Sequence, residues 1–135
     1  MKKSLVAIPA LIAAGYLVYA FVLPRFTGDE QSPRLDPTRI TEEVNNGTAV
    51  LLDVRTDAEL QTDGYAAGST HFDLARLQAG ELPSISQDIT IYAYCKGGAR
   101  AGRAKDILEQ NDFTHVENIG GLVDWENAGG TVIRE

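Results

Sequence analysis

The sequence predicts an α/β fold: a small parallel sheet flanked by helices on both faces. Two observations predict it. Short apolar runs bounded by turn residues recur at 49–54, 69–72, 89–94 and 116–119, and stretches with helical spacing lie between them. Strands that alternate with helices form parallel sheets, and such sheets bind ligands beyond the carboxyl ends of their strands. Asp53 and Cys95 both fall at such ends.

The elements follow in order. Residues 4–23 carry no charge and come after Lys2 and Lys3. Twenty helical residues span about 30 Å, the thickness of a bilayer core. Residues 1–25 are therefore expected to be a hydrophobic signal anchor helix, with a cleavable signal peptide as the alternative. Two lysines before an apolar run keep the N-terminus in the cytoplasm. The expected location is the inner membrane with the domain facing the periplasm, or the soluble periplasm if cleavage occurs. Residues 26–35 read as a linker, and residues 36–135 as one domain.

Within the domain, residues 38–46 read as a helix stopped by Asn46-Gly47, and residues 49–54 as a strand. Thr56-Asp57-Ala58-Glu59 is a capping box that opens a short helix. A brief strand at 69–72 and one or two helical turns at 74–79 follow. Residues 89–94 make the central strand. In the helix at 100–111, Ala101, Ala104, Ile107 and Leu108 line one face. A strand at 116–119 and a short helix at 122–127 complete the pattern, with Trp125 assigned to the core.

Charge narrows the function. Without Lys2, Lys3 and Arg25, nine basic residues stand against 19 acidic ones, a balance of −10. Such a surface repels nucleic acid and anionic lipid. Yet Lys96, Arg100, Arg103 and Lys105 cluster just after Cys95. Cys95 is the sole cysteine, so no internal disulfide or CxxC pair can form. His71 and His115 are too few and too scattered to complete a metal site with it. No metal or cofactor is expected.

Cys95-Lys96-Gly97-Gly98-Ala99-Arg100 joins a strand end to a helix start. Backbone N–H groups that converge there favour an anion, and a thiolate is one. A helix N-terminus and nearby cations lower a cysteine pKa. Cys95 is the candidate nucleophile, with Lys96, Gly97, Gly98, Ala99 and Arg100 around it. Asp53 and Arg55 are supporting candidates, or simply an ion pair that braces the region. Glu59 reads as a cap.

Four landmarks resemble the single-domain rhodanese family, the small thiosulfate sulfurtransferases. They are Leu51-Leu52-Asp53-Val54-Arg55 with Glu59; Gly64-Tyr65-Ala66-Ala67-Gly68-Ser69; Tyr94-Cys95-Lys96-Gly97-Gly98-Ala99-Arg100; and Asn118-Ile119-Gly120-Gly121-Leu122 with Trp125. With residues 114–118 and the export-like N-terminus, the chain looks most like the phage-shock-protein E type of periplasmic rhodanese. Tyr65 stands where the family usually has His, Ala101 where a small hydroxyl residue is common, and Leu60 for a frequent aromatic.

The resemblance implies a rhodanese-like fold and a sulfurtransferase. Cys95 would take sulfane sulfur from thiosulfate, or a similar small-molecule donor, as a persulfide. It would pass the sulfur to a thiol or cyanide acceptor. N–H groups of residues 96–100 would hold the terminal sulfur, Arg100 would brace the loop and add positive charge, and Lys96 would hold the sulfonate. With no second cysteine the acceptor must come from outside the chain. Two other readings stay open: a non-catalytic, membrane-anchored sulfur- or redox-sensing module, and a cysteine phosphatase or arsenate reductase. Loops of the latter kind follow Cys-x5-Arg, against Cys-x4-Arg here.

Overall fold

The computed structural model describes residues 35–135. The anchor and linker expectations for residues 1–34 lie outside them. Among the described residues no helix is long and apolar enough to cross a membrane.

The first helix, α1 (Pro37–Asn45), starts because the Asp36 side chain accepts from Arg39 N–H and Pro37 needs no hydrogen-bond partner for its nitrogen. Then come β1 (Ala49–Asp53), α2 (Asp57–Asp63), β2 (Tyr65–Ala66), β3 (Thr70–His71), α3 (Leu74–Gln78), β4 (Thr90–Cys95), α4 (Ala99–Gln110), β5 (His115–Gly121), α5 (Leu122–Asn127) and β6 (Val132–Ile133). The capping box of α2 is complete: Thr56 Oγ1 accepts from Glu59 N–H, and the Glu59 carboxylate accepts from Thr56 N–H.

Four strands form one sheet in the order β3-β1-β4-β5, and every pairing in it is parallel. Alternation along the strands sorts side chains to two faces. Leu52 and Val54 of the β1 segment join Ile91, Ala93 and Cys95 of β4 under α3 and α4, packed on Leu77, Ala101, Ala104 and Leu108. Leu51, Tyr92 and Tyr94 point the other way, to Ile40 of α1 and Leu122 and Trp125 of α5. Both faces of the sheet are therefore covered by helices, which explains the nearly continuous apolar runs in β1 and β4.

The sequence reading missed β2 and β6, which pair antiparallel as a separate two-stranded ribbon. This ribbon fastens the C-terminus to the turn after α2. The helix expected from Arg100 begins one residue earlier, at Ala99, and the strand expected over 116–119 extends to Gly121. Register fixes the site: Asp53 lies beside Tyr94, so β1 and β4 end together. A bulge between β4 and β5 follows, where Ala93 faces Asn118 but Cys95 faces Gly121. The extra residue brings Gly121 against the chain that leaves Cys95.

Candidate active site

Cys95 ends β4 with its side chain on the α4 face, and it is only 1% exposed. Small residues at 101 and 104 let α4 approach that closely. The chain reverses through Gly98, whose φ of +100° belongs to the left-handed region that favours glycine. No side chain caps α4, so its first amides are free to serve another acceptor. That acceptor is sulfur: Gly98 N–H donates to Cys95 Sγ at 2.9 Å. Burial pushes the Cys95 thiol up, but the N–H groups of Ala101, Gly98, Gly97 and Arg100 outweigh it. The balance leaves the thiol below its ordinary value.

The loop is held from three sides. Asn118 Nδ2 donates to Gly98 O at 2.9 Å, while its Oδ1 accepts from Gly120 N–H. Gly121 touches the loop so closely that a Cβ there would lie 2.1 Å from Lys96 O. On the third side, Arg100 forms a bidentate pair with Glu59, at 2.6 Å to each carboxylate oxygen. That pair, with further bonds from Thr56, holds the Glu59 carboxyl at about 2. The charge expected from Arg100 is therefore matched by Glu59. Sequence reasoning missed this contact because no local pattern links residues 41 positions apart. The capping signal at Thr56 found Glu59 but gave it only half its contacts. Asn118 carried no signal beyond its place in the fourth landmark.

The other loop residues separate. Lys96 is exposed, and among the described residues it makes no hydrogen bond or ion pair. It lines a cleft of about 300 Å³ with Arg55, Leu122, Val123, Glu126 and Arg134. Gly97 meets no atom within 4 Å of a built Cβ and has no positive φ, so only Gly98 of the two requires glycine's conformational freedom. Ala99 is an exposed first residue of α4. A larger cleft of about 580 Å³, lined by Glu43, Thr90, Tyr92, Lys105, His115 and Glu117 among others, contains no loop residue.

Asp53 and Arg55 lie on the other face of the sheet from the Cys95 side chain. Both are buried, and the pair closes at 2.6 Å. Arg55 also donates to Gly64 O at 2.7 Å, and Tyr94 donates to Asp53 at 2.5 Å while accepting from Ala66 N–H at 3.0 Å. Burial, and then the Asp53 carboxylate, push the Tyr94 hydroxyl above the ordinary phenol value. This network ties β1 and β4 to the 64–69 turn. Neither side chain bonds the sulfur or its loop.

The Rhodanese-like domain family matches residues 36–128. The chain belongs to the family of rhodanese-like domains. It is similar to the thiosulfate sulfurtransferase PspE of Escherichia coli K12, with 32% identity over 74 residues, which are 54% of this chain and 70% of that protein. It is also similar to the uncharacterized protein YqhL of Bacillus subtilis 168, with 30% identity over 109 residues, 78% of this chain and 85% of the other. Among solved structures, the Alr3790 protein of Anabaena superposes with a TM-score of 0.62 at 25% identity, over 74% of this chain and 80% of that one. In this rhodanese-like domain, the third landmark is the loop around Cys95, and the fourth is the Gly-Gly turn packed upon it.

Proposed function

We propose that this rhodanese-like domain is a sulfurtransferase working through a Cys95 persulfide. The carrying observation is the buried Cys95 sulfur, ringed by N–H groups that lower its pKa. The lowered pKa raises the thiolate fraction, and the thiolate is the nucleophile. Attack on the outer sulfur of thiosulfate forms a Cys95 S–S bond. The donor's own S–S bond breaks, and its electron pair leaves with sulfite. The negative charge moves one atom outward onto the persulfide sulfur, where the N–H groups of the loop stabilise it. An incoming thiolate or cyanide then takes that sulfur and restores the Cys95 thiolate. PspE, a relative named for this activity, supports thiosulfate as the donor.

The other residues have positioning tasks in this reading. Gly98 and Ala99 shape the turn and the helix start, Gly97 leaves the entrance open, and Arg100 holds the loop to α2. Lys96, exposed and unpaired among the described residues, receives the donor's sulfonate. Asp53 and Arg55 support the strand ends from behind. No cofactor takes part. The apolar segment 4–23 supports a location beyond the cytoplasmic membrane, anchored or released, which fractionation of cells expressing the full chain tests.

Sulfite release and thiocyanate formation from thiosulfate and cyanide test the reaction. The wild-type chain turns over and Cys95→Ser does not, at equal folded content. Equal rates in both refute the mechanism.

A further inference from the structure

Arg100 is the only arginine within the Cys95–Arg100 loop, and both arms of its fork go to Glu59, one to each oxygen at 2.6 Å. That geometry is the one by which arginine grips phosphate or sulfate. Glu59 is itself fixed, accepting from Thr56 N–H and Oγ1 at 3.1 Å each. The two side chains are 29% and 22% exposed, so dissolved ions can reach this pair. Asp73 and, when ionised, the Cys95 sulfur also favour the charged form of Arg100.

We propose that Glu59 is a specificity-determining residue that occupies Arg100 as a built-in anion and so keeps tetrahedral dianions that must be gripped through oxygen from seating in the loop, while thiosulfate offers its outer sulfur to the N–H groups and leaves its sulfonate outside at Lys96. With Arg100 matched, the sulfur is held by backbone N–H groups, and Lys96, exposed and without an ion pair among the described residues, is a cation available to a donor. Such a site suits one singly charged sulfur atom. Sulfate, phosphate or arsenate, which need two or more strong donors on a doubly charged group, find Arg100 already taken. The charge-neutral pair also keeps sulfite, the doubly charged product of the proposed reaction, from lodging beside the sulfur. The proposal deepens the sulfur-transfer reading and rests on it only in taking the Cys95 thiol as reactive.

The test is protection of Cys95 from iodoacetamide by sulfate, at constant ionic strength set with chloride, in the full chain. In Glu59→Gln, half-protection is expected at a sulfate concentration roughly tenfold lower than in wild type. The midpoint of the alkylation pH profile moves to lower pH, because Arg100 now faces the thiolate without its carboxylate. Glu59→Gln with Arg100→Ala loses both the tighter sulfate protection and the shift of the midpoint to lower pH. If Glu59→Gln does not fold, Glu59→Asp, whose shorter arm cannot hold both nitrogens, shows the same change in smaller measure. Unchanged sulfate protection in a folded Glu59 variant, or a gain that persists without Arg100, overturns the proposal. Wild-type persulfide loading is read in parallel. Its failure counts against sulfur transfer alone, since alkylation and sulfate protection do not depend on it.

Discussion

Gly121→Ala places a methyl group where β5 meets the Cys95 loop. The new Cβ would lie 2.1 Å from Lys96 O, 2.8 Å from the Lys96 carbonyl carbon and 3.1 Å from Gly97 Cα. Non-bonded heavy atoms settle at about 3.5 Å, so the loop and β5 must part by more than about 1 Å. Neither side yields easily. Gly121 N–H is bound to Asp124 Oδ2 at 2.7 Å, and Gly121 pairs with Cys95 across the bulge. Overpacking against backbone sits at the top of the usual range, about 3 kcal/mol. With a urea m-value of about 1.5–2 kcal/mol/M, the unfolding midpoint falls by about 1.5–2 M with m unchanged. The displaced loop also withdraws N–H groups from the sulfur, so the midpoint of Cys95 alkylation moves to higher pH. A midpoint within about 0.3 M of wild type, with an unaltered alkylation profile, would falsify the close-approach reasoning.

Gly97→Ala is the matching control: it meets nothing, and stability should hold or rise by about 0.4–1 kcal/mol, read from the same urea curves. Glu59 supplies a pH dependence. Its carboxyl lies at about 2 against an ordinary 4.5, so the pair's stabilisation is full above about pH 4.5 and fades as pH falls toward 2. Partial exposure screens it to about 1–2 kcal/mol, so wild type and Glu59→Gln should differ by that much at pH 7 and converge near pH 2. A constant gap across that window contradicts the assignment. Asp53→Asn leaves the buried Arg55 charge uncompensated and should cost about 3–5 kcal/mol. Because the Asp53–Arg55 pair does not bond the loop, the folded fraction of this variant should keep the wild-type alkylation profile, measured in a stabilising buffer.

The elements visible in the sequence are those whose cause is local. The central strand announces itself because both its faces are buried, and α2 because Thr56 and Glu59 are three residues apart. Cys95 was legible for a similar reason, since strand end, glycine turn and helix start are contiguous. What escaped depends on distant partners. Tyr65–Ala66 and Val132–Ile133 are two-residue strands with no periodicity of their own, made only by pairing with each other. Arg100 looked like an added positive charge until Glu59 came to meet it from another helix. Gly120-Gly121 was readable as a motif, but its reason was not: the second glycine is needed by the backbone of Lys96, across a bulge that no sequence pattern marks.

The central claim is the persulfide, and intact mass tests it most directly. The protein is mixed with thiosulfate, freed of excess and weighed. The expected result is a gain of about 32 Da on wild type that a small thiol removes and that Cys95→Ser never acquires. A folded wild-type protein that gains no mass, or a Cys95→Ser variant that gains it equally, contradicts the claim.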